Sequence, residues 1–253
     1  MVSICNVHWL GRMPYLQAWA LQDQLAVEIA ADSRPATLLL LEHPHTYTFG
    51  RRGKADNLLW DEAERARRGV EVHWVDRGGD VTYHGPGQLV GYPLLPLGAA
   101  RMQLDQANGS LRLPQADYVG YVRNLEKMLI EALARLGVEG IQIPGLTGVW
   151  VQPESDNPGQ QPAKIAAIGV KVDARGVSRH GFALNASPDM SYWEGIIGCG
   201  LKGNPVASLA DLIKPVPDME EVRAAVVAAF GGIFNLEMRE ATDVPAVRVT
   251  ERN

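Results

Sequence analysis

The sequence predicts an α+β fold, a mixed α/β arrangement in a single domain (1–253) whose mixed sheet is flanked by helices. Three observations lead there. Strand-sized apolar runs recur at 37–42, 88–95 and 164–173. Segments with helical apolar spacing separate some of these runs but not others, so no regular βαβ series emerges. Finally, 46% of the 253 residues are hydrophobic, enough for one large core, and no linker long enough to divide them is present.

The elements follow in order. SICNV around Cys5 reads as an apolar stretch that hides its thiol. From Pro14 to Ala31, Leu21, Leu25 and Ile29 share one helical face. TLLLLE at 37–42 is a buried strand and HTYTF at 45–49 a second, joined through Pro44. Asp61 to Arg68 is a short charged helix closed by Gly69. Val70, Val72 and Trp74 alternate with Glu71 and His73, the period of a half-buried strand. QLVGYPLL at 88–95 is again a strand, and Gly98 to Pro114 is a loop containing Asn108-Gly109. Apolar residues from Tyr118 through Tyr121, Leu125, Leu129 and Leu133 to Leu136 recur at three- and four-residue steps, a helix that Gly137 ends. Short strands at 138–143 and 147–151 precede a polar excursion at 152–163 that contains three prolines. KIAAIGVKVD (164–173) and SRHGFALNA (178–186) form paired strands around a turn. A helix lies near 207–213. Another opens on Asp218 and Glu221, a capping box, and ends at Gly231-Gly232.

Composition excludes several classes. The chain has 24 Lys+Arg against 29 Asp+Glu, a formal charge of −5, which argues against a broad nucleic-acid surface. Attraction to an acidic protein would have to come from local patches, either Arg51, Arg52 and Lys54 or Arg65, Arg67 and Arg68. Two cysteines do not make a disulfide framework, and the first residues do not read as a signal peptide. No apolar run approaches the ~20 residues that span a bilayer. The expectation is a soluble cytoplasmic protein that binds neither membrane nor nucleic acid.

RGGDVTYHGPGQ, from Arg77 to Gln88, concentrates glycines beside a histidine, a threonine and an arginine. As a dinucleotide loop it fails: Gly85, Gly87 and Gly91 are one residue out of step, and a strand rather than a helix follows. GRRGKA at 50–55 fails as a P-loop, since its glycines are too close and Ala55 replaces Ser or Thr. The six histidines make no recognised metal motif, so no metal is expected, and His43 and His45 read as turn or surface residues. Cys199, between two glycines in GIIGCGLKGNP, is placed for close approach by a substrate. Spacing alone leaves its structural and nucleophilic readings both open.

RGGDVTYHGPGQLVGYP resembles the signature of the octanoyltransferases of lipoate biosynthesis. EHPHTYTFGR (42–51), GVWV (148–151), AKIAAIGVKV (163–172), HGFALN (180–185) and the GCG around Cys199 are similar too, in the same order, so the likeness covers residues 40 to 200. His45 stands where the family pattern suggests proline, and the 152–162 excursion is longer than the pattern suggests. The resemblance implies a fold similar to the catalytic domain of biotin and lipoate protein ligases. It implies transfer of an octanoyl group from octanoyl-acyl carrier protein to a lysine of lipoyl-domain proteins, namely 2-oxoacid dehydrogenase E2 subunits and the glycine cleavage H protein, without a cofactor. Cys199 matches the acyl-accepting cysteine and Lys164 its partner. Three segments match the walls of the acyl pocket: Arg77, Gly78, Gly79, Asp80, Val81, Thr82, Tyr83 and His84; Ala167, Ile168 and Gly169; and Gly181, Phe182 and Ala183.

The implied chemistry suits these residue types. A free cysteine of pKa about 8.5 is only roughly 3% thiolate at pH 7, and a neighbouring ammonium favours the thiolate. Lys164 is then the activating cation and a relay for the acceptor amine's proton, while Lys171, seven residues on, is the control. Val81, Tyr83 and Phe182 are expected to meet the acyl chain, Arg77 to order the loop through carbonyls, and His84 to brace it. Backbone N–H groups near Gly78-Gly79 or Ala167–Gly169 are expected to face the oxyanion. Two other readings remain: an ATP-dependent lipoate or biotin ligase, which needs no cysteine, and a non-catalytic acyl- or lipoyl-domain-binding module.

Overall fold

The computed structural model describes residues 2–98, 103–104, 111–112, 117–152, 161–198 and 205–241. The chain opens with strand β1 (Ser3–Arg12), helix α1 (Tyr15–Ala30) and β2 (Ala36–Glu42). β3 (Thr46–Phe49), α2 (Glu62–Arg68), β4 (Glu71–Trp74), β5 (Val81–His84) and β6 (Gln88–Leu94) follow. After β7 (Gln103–Leu104) and β8 (Leu111–Arg112) come α3 (Tyr118–Arg135), β9 (Ile141–Ile143), β10 (Leu146–Val151), β11 (Ala163–Val172) and β12 (Ser178–Asn185). The last elements are α4 (Leu209–Leu212), α5 (Met219–Phe234) and β13 (Leu236–Glu240).

An eight-stranded sheet runs in the order β13-β1-β2-β6-β12-β11-β10-β9. β13, β1 and β2 are mutually parallel, and the remaining pairs are antiparallel. The sheet is therefore mixed, as expected, and β1-α1-β2 forms a parallel crossover unit. A three-stranded sheet, β4-β3-β5, carries the glycine-rich motif.

The unbroken leucine run of β2 explains the layering. Leu38 and Leu40 point to one face, Leu39 and Leu41 to the other, and none of the four is exposed. The first face packs with Leu125, Met128 and Leu129 of α3 and Val226 and Phe230 of α5. The second packs with Leu21, Leu25 and Ile29 of α1. Each such leucine contributes roughly 1.5–3 kcal/mol by leaving water. A third cluster, Tyr47, Phe49, Val81, Tyr83 and Ile196, fills the space beneath the small sheet. Among the described residues no helix is long and apolar enough to cross a membrane.

Most expected helix ends hold. Asp61 caps α2 and Gly69 closes it in the left-handed region, Asp117 caps α3, and Asp218 with Glu221 makes the capping box of α5. The end of α5 differs. The helix passes through Gly231-Gly232 to Phe234, and Asn235 provides the left-handed cap. Gly231 serves packing instead: a Cβ there would sit 2.9 Å from Met238 Cγ on β13. Trp74 also departs from the expected inward face, being 57% exposed, because β4 is an edge strand and the indole lies across Phe49 with centroids 4.5 Å apart. The expected loop at 98–114 holds the short antiparallel pair β7 and β8, while its Asn108-Gly109 lies outside the described residues. Of the 152–163 excursion, 153–160 are outside them too, and Ala163 already belongs to β11.

Candidate active site

The glycine-rich motif is a turn stitched between two sheets. Gly50 N–H donates to Asp80 O (3.1 Å), Arg51 N–H to Arg77 O (3.0 Å) and Arg52 N–H to Gly79 O (3.0 Å). On its other side Gly78 N–H donates to Val170 O of β11 (2.9 Å). Such approach demands glycine: a Cβ on Gly50 would lie 2.5 Å from Gly79 O, and one on Gly169 would lie 2.9 Å from Arg77 Cδ. Arg77 locks the turn, donating to Thr48 O (2.6 Å), Thr48 Oγ1 (2.9 Å) and Gly78 O (3.0 Å). The expectation that it orders the loop through carbonyls holds. The Asp80 carboxylate accepts from Val81 N–H (2.7 Å) and from Asn57 Nδ2 (2.5 Å), which anchors the turn's far end.

Three segments far apart in sequence then enclose one cavity. Arg77, Gly79, Asp80, Val81, Thr82 and His84 line it from the motif, Ala167, Ile168 and Gly169 from β11, and Gly181, Phe182 and Ala183 from β12. Register brings the last two together, with Ile168 opposite Phe182 and Gly169 opposite Gly181. Of the residues matched to the pocket walls, all but two line this one cavity. Tyr83 does not line it but lies in the third core cluster, where its hydroxyl meets His45 Nδ1 at 2.9 Å. Gly78 borders a neighbouring cavity.

That neighbouring cavity contains Lys164 together with Arg52, Lys54, Gly78 and Thr147, and it shares Gly79, Asp80, Ile168 and Gly169 with the first. Lys164 is 8% exposed. Its Nζ donates to Thr147 O (3.2 Å) and sits 4.7 Å from the centroid of the Trp150 ring. The Lys164 backbone pairs with the chain just beyond residue 204: Lys164 N–H donates to Pro205 O (2.9 Å), and Ala207 N–H donates to Lys164 O (3.0 Å). Cys199 lies outside the described residues. The other cysteine, Cys5, is buried, and burial pushes its thiol up to about 12, which suits a structural residue. Lys171, the control, ion-pairs with Asp76 (2.5 Å) and does not border either cavity.

Four residues that sequence reasoning did not assign complete the first cavity or brace it. Tyr15, Tyr92 and His180 line it, and Asp76 holds His180. Burial works against the Asp76 carboxylate, but hydrogen bonds from His180 and Lys171 and the charge of Arg179 hold its carboxyl below the usual range. Burial lowers His180 and, still further, His84, so both imidazoles stay neutral. His84 is fully engaged, Nδ1 with Gln88 Oε1 (2.8 Å) and Nε2 with Thr48 Oγ1 (3.3 Å), so it braces the loop as expected. His43 corrects the expectation of a turn or surface residue. It is fully buried behind Tyr15 and Tyr92, because the 42–46 turn folds inward beneath α1. His45 is half-buried, its ring stacked on Tyr192 at 3.9 Å. HGFALN contained His180 and VDRGGD contained Asp76, but only their pairing in space distinguishes them. Among the described residues, no group of three or more His, Cys, Asp or Glu side chains is arranged to hold a metal ion.

A mixed sheet thus closes a glycine-walled, largely apolar cavity beside a buried lysine, the layout of a small-molecule site in a single α+β domain. The chain belongs to the lipoyl protein ligase A/B catalytic domain family, whose model matches residues 14–231. It is 44% identical to an octanoyltransferase of Chloroflexus aurantiacus over 92% of this chain and 96% of that protein. It is 43% identical to an octanoyltransferase of Gloeobacter violaceus over 90% and 89%, respectively. Among solved structures it resembles a bipartite lipoate protein ligase of Thermoplasma acidophilum, with TM-score 0.70 and 15% identity over 96% of this chain and 88% of that one. A lipoate-protein ligase A bound with ATP gives TM-score 0.66 and 16% identity over 96% and 90%. At these identities the two structures establish a shared fold.

Proposed function

We propose that this chain is an octanoyltransferase that moves an octanoyl group from octanoyl-acyl carrier protein to a lysine of lipoyl-domain proteins, through a thioester on Cys199. The observation that carries the reading is the junction of the two cavities, where the largely apolar first cavity meets the Lys164 cavity along Gly79, Asp80, Ile168 and Gly169. The octanoyltransferases of similar sequence support the choice of acyl group. The pairing of Pro205–Ala207 with Lys164 supports Cys199 as its partner, since it ties the chain six residues after the cysteine to the lysine's own backbone.

In this mechanism the Cys199 thiolate attacks the carrier's thioester carbonyl, and the carrier thiolate leaves, taking a proton from the Lys164 ammonium, which becomes a neutral amine. The acceptor lysine's neutral amine then attacks the acyl-enzyme. Its proton passes through Lys164 as the Cys199 thiolate departs, leaving an amide more stable than the thioester. Exchange of one thioester for another is nearly neutral, so the reaction needs no ATP. Gly78 N–H is committed to Val170 O, so the oxyanion donors are assigned to Gly79 and Ile168, which border both cavities.

The mouth of the Lys164 cavity fits an acidic carrier. Arg52 and Lys54 border it and are exposed, Arg51 is exposed next to them on the segment bonded to the glycine-rich turn, and the Lys54 backbone N–H donates to Asp80 Oδ1 (3.3 Å). The second basic patch is spent internally: Arg67 and Arg68 pair with Glu64 (2.6 and 2.5 Å), and Arg68 lies over Trp60 (4.2 Å).

Incubation with octanoyl-acyl carrier protein in the absence of ATP and magnesium, followed by intact mass measurement, tests the reading. An octanoyl adduct on the wild-type chain, lost in Cys199→Ala, is expected. Acyl transfer that strictly requires ATP would overturn it in favour of an adenylate-forming ligase.

A further inference from the structure

We propose that the Tyr15 ring is the stop that sets the acyl-chain length this enzyme accepts. The inference rests on the acyl-transfer reading of the same cavity and extends it to specificity.

On one side the cavity joins the Lys164 cavity along Gly79, Asp80, Ile168 and Gly169, so the reacting carbonyl belongs there. Tyr15, His84 and Tyr92, from three different elements and each at most 6% exposed, line the cavity without bordering the Lys164 cavity. Tyr15 is the residue that α1 contributes to the lining. The Tyr15 ring packs against those of His43, His73 and His84 at centroid distances of 5.0, 5.8 and 5.9 Å, and His43 and His73 do not line the cavity. An acyl chain entering from the Lys164 side would thus meet an aromatic ring packed against other rings.

The ring is fixed in position. Its hydroxyl meets His180 Nδ1 at 3.4 Å, and His180 Nε2–H donates to Asp76 Oδ1 at 2.6 Å. That bond to the carboxylate puts the imidazole proton on Nε2 and leaves Nδ1 to accept from the phenol. Asp76 is in turn held by Lys171 and Arg179, and His180 N–H donates to Gln22 Oε1 of α1 at 2.7 Å. Helix, strand and turn are thus tied together around one phenol. The bonds also explain how so many polar residues can wall an apolar ligand. The Tyr92 hydroxyl meets His43 Nε2 at 2.7 Å, and both His84 nitrogens have partners. With their polar atoms paired to one another, these residues offer ring carbon to the chain end.

The test measures initial rates of acyl-enzyme formation by intact mass, with hexanoyl-, octanoyl-, decanoyl- and dodecanoyl-acyl carrier protein. Wild type, Tyr15→Phe, Tyr15→Leu and Tyr15→Ala are compared, each first shown to be folded by its thermal transition. One methylene in an apolar pocket changes kcat/KM by roughly 10–200-fold. Tyr15→Leu and Tyr15→Ala should therefore raise the decanoyl-to-octanoyl ratio by about tenfold or more, while Tyr15→Phe keeps octanoyl the preferred length. If Tyr15→Ala does not fold, Tyr15→Leu carries the test. An unchanged ratio in either folded variant, or a preference that shifts equally in Tyr15→Phe, overturns the stop. A wild type that accepts no acyl group of any length overturns the transfer reading itself, and the stop falls with it.

Discussion

His43 Nε2 lies 2.7 Å from the Tyr92 hydroxyl while its Nδ1–H donates to Met13 O at the same distance, so this fully buried imidazole is held neutral between two fixed partners. Burial lowers its pKa to about 4, partly opposed by the bond to Met13. The unfolded chain restores it to about 6.5. The sign follows directly. Between those values the unfolded state binds the extra proton, so stability is complete above about pH 6.5 and falls as pH drops toward 4. His84 and His180, also lowered by burial, add to the same trend. His43 alone accounts for on the order of 3 kcal/mol across that window. Thermal unfolding followed from pH 7.5 to pH 4 should show a steep loss, and His43→Gln should start less stable but fall less steeply. A profile equally steep in the variant contradicts the assignment.

Lys164 and Lys171 should separate cleanly. Alkylation rates measured against pH should place the Cys199 thiol higher in Lys164→Ala than in wild type, and unchanged in Lys171→Ala. The second substitution should act on stability instead, at a cost of about 1 kcal/mol, because it strips one partner from the half-buried Asp76 cluster. Equal thiol shifts in both variants would contradict a specific Cys199–Lys164 pair.

The basic rim should reveal itself through salt. Reversing Arg51 and Lys54 to glutamate should lower kcat/KM for the acyl carrier about tenfold at low ionic strength, and the gap should close toward 1 M salt, where screening acts within ~3 Å. Arg67→Glu is the comparison, since Arg67 already neutralises Glu64 on α2 and should move the rate little. A salt-independent difference would place the defect in folding of the 50–54 segment.

Sequence alone settled what local pattern controls. Helix caps at Asp61, Asp117 and Asp218, the doubly buried β2 and the pairing of β11 with β12 follow from spacing and capping chemistry, which act over a few residues. The likeness of three motifs to a family was enough to name most of the cavity wall before any strand was placed, because each motif keeps its residues contiguous. Tertiary structure decided the rest. The roles of Tyr15, Asp76, His43 and His180 are not legible even where a motif contains them, because they come from α1, the 42–46 turn, the glycine-rich turn and β12 meeting at one point. Tyr83 and Trp74 went astray for a related reason: alternation predicts two faces for a strand but not which face meets the cavity or an open edge. Burial, which sets both the neutrality of these histidines and the shape of the glycine-walled cavity, is a property of segments brought together from distant parts of the chain, and only the folded arrangement specifies it.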